Sequence, residues 1–230
     1  MLDSVRILQE LIRTPSTFGE EHAAMDIVER ELSALGVETT SVWFDDAELM
    51  KTNGAQPPFC SIQGRRNLVG VRKGRGGGRS LILNCHLDIV PPGNPADWAG
   101  GDPFSGSIIE GRVYGRGAYD DKAGASICLS VLDRLRSEEI SADVIVQFAL
   151  EDETTGNGSL LCLEHGPAAD AAIIVDGTRG ERGINQHAGN VKFSLTTFGK
   201  PASVSVSHIG IEGLTPIGPT NILNSLRCEK

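Results

Sequence analysis

The chain has 230 residues, 40% of them hydrophobic and 22% charged, the composition of an ordinary globular protein with room for one large domain or one and a half. A net charge of −9 argues against nucleic acid or an anionic membrane surface as the main partner, though a small anionic substrate can still find a locally opposed site. Five cysteines (Cys60, Cys85, Cys128, Cys162, Cys228) are odd in number and widely spaced, which suits reduced thiols in a cytoplasmic protein better than a disulfide framework or a cysteine metal site.

At the N-terminus, Leu2, Val5, Leu8, Leu11 and Ile12 recur at the spacing of an amphipathic helix. Asp3 and Arg6 interrupt the apolar run, so it does not read as a signal peptide, and no later run approaches the roughly 18 apolar residues of a membrane span. Thr14-Pro15 ends this helix, because a residue before proline avoids helical angles. A second helix is predicted from Glu20 to Leu35, stopped by Gly36, and a strand from Val37 to Phe44. Asp45 to Gly64 is polar and reads as a surface excursion.

Beyond it, strands are predicted over Asn67–Lys73 and Ser80–Asn84, flanking the turn Gly74–Gly78. That turn opens no helix and lacks a following Lys-Ser or Lys-Thr, so it is not a phosphate cradle. Lys122 to Leu135 has helical periodicity, and Val144–Leu150 and Ala171–Val175 are short apolar runs typical of buried central strands. Lys192 to Phe198 is a later strand of alternating character. Strands alternating with helices predict an α/β fold, a mostly parallel mixed sheet with helices on both faces.

Four apolar strands are predicted to run, directly or through one loop, into acidic or histidine residues at the end of the sheet. LILN runs into Cys85-His86-Leu87-Asp88, GRVYGRGAY into Asp120-Asp121, VIVQFAL into Glu151-Asp152-Glu153, and AAIIV into Asp176. The carboxyl ends of strands are where open α/β sheets bind ligands, and divalent cations take nitrogen and oxygen donors of these kinds. Each cluster alone has a plainer reading: a hydrogen-bonded His-x-Asp pair, acids capping a helix, a solvated acidic loop, and an aspartate in a turn before Gly177. Jointly, carboxylates gathered in one cleft repel unless cations hold them. Cys85 is predicted to point away from His86 into the core, and the absence of a Gly-x-Ser-x-Gly elbow argues against a serine nucleophile.

The stretches Ile12-Arg13-Thr14-Pro15-Ser16, Leu81 to Gly93, Trp98, Asp102-Pro103-Phe104, Gly111 to Lys122, Glu153 with Gly156-Asn157-Gly158-Ser159, and Asp176 resemble one family. It is the co-catalytic metallohydrolase family of acetylornithine deacetylase, succinyl-diaminopimelate desuccinylase, aminoacylases and glutamate carboxypeptidases. The resemblance implies a zinc-exopeptidase-like catalytic domain over residues 1–180 and the start of an α+β lid or dimerisation domain over 181–230. It further implies two divalent metal ions, zinc first with cobalt or manganese as alternatives. His86 and Asp176 would bind one ion, Asp120 would bridge both, and Glu153 would bind the other. Asp88 would orient His86, and Asp152 stands where the family places its general base. The implied reaction is hydrolysis of an amide bond in an N-acyl amino acid or small peptide by a metal-activated water.

Three departures qualify what the resemblance implies. The family's base is a glutamate, and Asp152 falls short of it by one methylene, roughly 1.3 Å of reach. Ser203 stands where a lid histidine is common, with His208 nearby. Family members are longer, so the expected final sheet strands and a second-metal histidine are missing from the 230 residues, and neither His187 nor His208 reads as a substitute. Missing strands would leave an apolar sheet edge open, and half a lid leaves homodimerisation undecided. Three expectations follow: an amide-cleaving metallohydrolase, an inactive relic or one-metal binding module, or a chain completed by a second polypeptide.

Overall fold

A computed structural model of the chain describes residues 2–43, 45–177 and 183–186. The expected lid over 181–230, with the strand at 192–198, Ser203, His187 and His208, lies outside the described residues except for 183–186.

Two helices open the chain. Helix α1 (Ser4–Ile12) starts where the Asp3 carboxylate accepts the Arg6 amide at 3.0 Å, and it buries Ile7, Leu11 and Ile12. Helix α2 (His22–Ala34) buries Ala24, Met25, Val28 and Leu32 and ends before Gly36, whose φ of 69° is the left-handed stop that glycine adopts without strain. Both follow the predicted spacing. A single helical turn, α3 (Asp46–Leu49), lies in what the sequence presented as a polar excursion.

The main sheet contains β1 (Glu38–Trp43), β2 (Arg66–Arg72), β3 (Leu81–His86), β6 (Val144–Ala149) and β7 (Ala171–Ile174), in the order β1-β2-β6-β3-β7. β2 is antiparallel to both β1 and β6, while β3 is parallel to β6 and β7. Four strands therefore point one way and β2 alone points back, the mostly parallel mixed sheet that was expected. Helix α4 (Lys122–Leu135) connects β3 to β6, and α5 (Asn157–His165) connects β6 to β7, which pairs with the far side of β3.

The two helices cover opposite faces. Asn84 of β3 accepts a hydrogen bond from Ser159 of α5, whereas its neighbour Cys85 faces Cys128 of α4. Side chains adjacent on a strand point to opposite faces, so right-handed crossovers that leave in opposite directions fall on opposite sides. The place where those directions diverge, at the carboxyl ends of β3 and β6, is the topological switch point where such sheets bind ligands. Cys85 is buried as expected, and burial pushes its thiol well above the usual range.

One expectation is corrected. The segment GRVYGRGAY does not supply a fourth strand to the main sheet. Its Arg112–Tyr114 forms β5, which pairs with β4 (Ser107–Ile109) in a separate two-stranded hairpin. Glu110 and Gly111 close it with φ of 50° and 76°, the two positive values of a tight hairpin turn that matches strand twist. Asp120 and Asp121 accordingly arrive at the start of α4, not at the end of a central strand.

Helix α5 is capped by Gly156 and begins with Asn157 and Gly158. A Cβ at position 158 would lie 1.9 Å from the Leu150 carbonyl oxygen, so only glycine lets the first turn pack on the chain leaving β6. Gly158→Ala is expected to destabilise the fold by about 1–3 kcal/mol, read as a lower urea midpoint with an unchanged m value. An unchanged midpoint would show that this close approach is not required. At the other side of the sheet, β7 pairs only with β3 among the described residues, and Ile173 and Ile174 are 52% and 60% exposed. Such an apolar edge templates association. Ile174→Lys is expected to reduce concentration-dependent self-association in sedimentation velocity without lowering Tm, and equal association in both proteins would locate the contact elsewhere.

Candidate metal centre

The parallel register aligns His86 with Ala149, so β3 and β6 end at the same level and their exit loops leave side by side. Leu87 donates its amide to the Ala149 carbonyl and Val175 donates to Asn84, which carries β7 to the same edge. His86, Asp152–Glu153 and Asp176 are thereby brought to one mouth by backbone pairing alone. Asp120 joins them from just ahead of α4, whose N-cap Asp121 accepts the His86 amide.

The His86 ring is 4% exposed and lies at the bottom. Its Nε2 is 3.0 Å from an Asp120 oxygen, 3.8 Å from Asp152 Oδ2 and 4.0 Å from Asp176 Oδ1. Those three carboxylates are 51%, 39% and 42% exposed, so they stand on the solvent side of the buried imidazole. Two groups of ligand atoms gather within 4.8 Å of one another: His86 with Asp120 and Glu153, and His86 with Asp121 and Asp176. The six residues singled out in the sequence stand together and His86 is common to both groups, but Asp176 is grouped with Asp121 and not with Asp120.

Asp88 contacts both the imidazole and the neighbouring loop. Its carbonyl oxygen lies 3.0 Å from His86 Nδ1, nearer than its own carboxylate at 3.4 Å. The carboxylate is fully buried and accepts the amides of Asp152 at 3.1 Å and Glu153 at 3.0 Å. One residue thus couples the end of β3 to the loop leaving β6. Partners behind metal ligands usually set ring orientation in this way.

Asp121 has a structural task that fits its plainer reading. One of its oxygens accepts the Gly124 amide at 3.0 Å, capping α4, and the other accepts the His86 amide at 3.2 Å. Burial, the largest influence, pushes its carboxyl up to about 8. With both oxygens engaged, Asp121 braces His86 and α4.

Glu151 points away from the cluster. It is 1% exposed and its φ is 62°, a left-handed backbone costing on the order of 1–3 kcal/mol for a residue with a side chain. That local reversal sends Glu151 inward and turns Asp152 and Glu153 toward His86. Arg65 and Asn67, which sequence reasoning did not single out, hold the same loop from the β2 side. Arg65 Nη1 donates to Glu151 at 2.8 Å, and Asn67 Oδ1 accepts the Leu150 amide at 3.0 Å. Nothing in the sequence marks either residue, since the contacts arise only when β2 runs antiparallel to β6.

The electrostatics fit a cation. Burial pulls the His86 pKa down, but the hydrogen bond to Asp88 and the charges of Asp88, Asp152 and Asp121 outweigh it and push it up to about 10. Burial raises the carboxyls of Asp152 and Glu153, and neighbouring carboxylates, Asp120 for both, add to the effect. Such a cluster demands positive charge, and imidazole nitrogen with carboxylate oxygen is a donor set that zinc, cobalt and manganese accept.

Known proteins resemble this chain in sequence and in fold. Succinyl-diaminopimelate desuccinylase of Cereibacter sphaeroides (strain ATCC 17029 / ATH 2.4.9) is 31% identical over 187 residues, covering 79% of this chain and 44% of its own length. The desuccinylase of Caulobacter sp. (strain K31) is 27% identical, covering 94% of this chain and 58% of its own. The chain thus spans about half the length of these relatives. Human carnosine dipeptidase 1 shares the fold with a TM-score of 0.61 at 19% identity, over 76% of this chain and 38% of that one. The M20 family metallo-carboxypeptidase Sso-CP2 of Sulfolobus solfataricus matches with a TM-score of 0.57 at 19% identity, over 76% and 37%. The model of peptidase family M20/M25/M40 matches residues 82–213, more than half of the sequence and all six candidate site residues, and the chain belongs to that family.

Proposed function

We propose that this chain carries most of the active site of a metal-dependent hydrolase that cleaves the amide bond of an N-acyl amino acid or small peptide. The observation that carries the reading is the pair of ligand groups meeting at His86. His86 and Asp176 would hold one cation, Asp120 would bridge, and Glu153 would hold the second. Zinc is the proposed ion, with cobalt and manganese suited to the same donors. The deacetylase, desuccinylase or carboxypeptidase character rests on the relatives' own names. Buried thiols at Cys85, Cys128 and Cys162, none in a disulfide, support a reducing, cytoplasmic setting. Among the described residues no helix is long and apolar enough to cross a membrane.

Two bound divalent cations would supply Lewis acidity, lowering the pKa of a water and polarising the amide carbonyl. The chain's own residues would do the rest. Asp152 accepts the proton from the attacking water and returns it to the leaving nitrogen, so the amide and water become a carboxylate and a free amine. Asp152 Oδ2 lies 3.8 Å from His86 Nε2, and the Asp152 amide donates to the Asp88 carboxylate beneath it. Asp88 and Asp121 hold His86 in place throughout.

One observation favours a second reading. Both ligand groups draw on the same imidazole, so a single cation per chain without turnover is the alternative.

Calorimetric titration with zinc, cobalt and manganese separates the two readings. Two ions per chain with hydrolysis of an N-acetyl or N-succinyl amino acid supports the hydrolase, and one ion without turnover supports the binding module. Asp120→Ala is expected to abolish tight uptake at both positions. Asp152→Asn is expected to leave uptake intact and lower turnover by about 10²–10⁴-fold. Wild-type protein that takes up none of the three ions would overturn both readings.

A further inference from the structure

We infer that Arg65 is a positioning residue for Asp152 and Glu153, acting through the buried carboxylate of Glu151. The inference rests on the proposed roles of Asp152 and Glu153, although the contacts that support it do not.

Arg65 immediately precedes β2, and the antiparallel pairing of β2 with β6 sets it beside the loop leaving β6. Its side chain is 10% exposed and lies between two buried glutamates, Glu151 at 1% and Glu21 at 3%. Nη1 donates to Glu151 Oε1 at 2.8 Å, Nε donates to Glu21 Oε2 at 3.0 Å, and Nη2 donates to Glu21 Oε1. Nη1 also lies 3.2 Å from Cys60 Sγ and 3.3 Å from the Ser61 carbonyl. None of these partners belongs to the proposed metal centre.

What Arg65 holds is the residue that reverses the loop. Glu151 has its left-handed φ of 62°, its Oε2 accepts Thr155 Oγ1 at 3.1 Å, and its carbonyl accepts the amides of Thr155 and Gly156. Without a cation beside it, the Glu151 carboxylate would face that of Glu21 in a buried space. It would have to swing out, releasing the reversed backbone that aims the next two residues. Asp88 grips the same loop from the β3 side through the Asp152 and Glu153 amides. The loop is thus clamped from two strands, and Arg65 is the β2 jaw. A guanidinium suits this because its fork serves two carboxylates on different edges, which a lysine ammonium does not reproduce.

The test compares Arg65→Lys and the charge-balanced pair Arg65→Met with Glu151→Gln against wild type, after thermal melts establish that each is folded. Amide hydrogen exchange resolved by NMR is expected to quicken at Asp152 and Glu153 in the double variant, while β3 and α4 amides keep their rates. Cobalt titration is expected to show the Glu153-dependent ion weakened by about 10–100-fold and the other retained, with Arg65→Lys intermediate. Unchanged exchange at 152 and 153 in the folded double variant, or an Arg65→Lys protein equal to wild type in both measurements, would overturn the inference. If wild type binds no cobalt, the metal reading fails and the exchange rates still decide the role of Arg65.

Discussion

The site depends on the buried carboxylate of Asp88. Parallel pairing delivers His86 and the 151–153 loop to the same level, but it does not orient them. Asp88 does, because its carbonyl meets the imidazole while its two oxygens take consecutive amides from the neighbouring loop. A fully buried carboxylate is tolerated only when hydrogen bonds replace its water, and two backbone N–H groups provide that replacement. The same bonds that make Asp88 affordable in the core define where Asp152 and Glu153 stand.

Around that anchor, two different electrostatic arrangements sit back to back. On the protein side, Glu21, Arg65 and Glu151 form a dry network in which the guanidinium offsets two carboxylates. On the cleft side, Asp120, Asp152 and Asp176 crowd one imidazole. The first is closed by a resident cation of the chain. The second has only the His86 proton to serve several carboxylates, which is why its pKa rises despite burial. The reversal at Glu151 separates the two, sending one acid into the first arrangement and the next two into the second.

Much of this was legible in the sequence where periodicity is long enough to speak. Lys122–Leu135 was read with the bounds the helix has, and β3, β6 and β7 were found within about two residues because buried strands appear as continuous apolar runs. Helix α5 was not, since Gly156 and Gly158 look like breakers until the Leu150 carbonyl is seen pressing on position 158. The β4–β5 hairpin has three residues per strand, too few for alternation to show, and so GRVYGRGAY reads from the sequence as one more strand of the main sheet. The six candidate site residues stand out by chemistry and by family likeness. Arg65, Asn67 and the second role of Asp88 do not, because each depends on which strand ends up beside which.

These arrangements bear on how the site relates to stability. The described cluster holds a left-handed glutamate, a buried imidazole among acids and a shared mouth of carboxylates, each of which costs free energy in a metal-free chain. A ligand that binds only the folded form returns stability as RT ln(1 + [L]/Kd), about 2.7 kcal/mol at a hundredfold excess over Kd. A divalent cation at His86 would meet the charge that Asp120, Asp152 and Asp176 leave uncompensated, so occupancy and rigidity of the mouth would rise together. Under the proposed function, the clamp by Asp88 and Arg65 would hold Asp152 and Glu153 at the mouth against their mutual repulsion before a cation binds, so that less of the binding energy would go into ordering the loop.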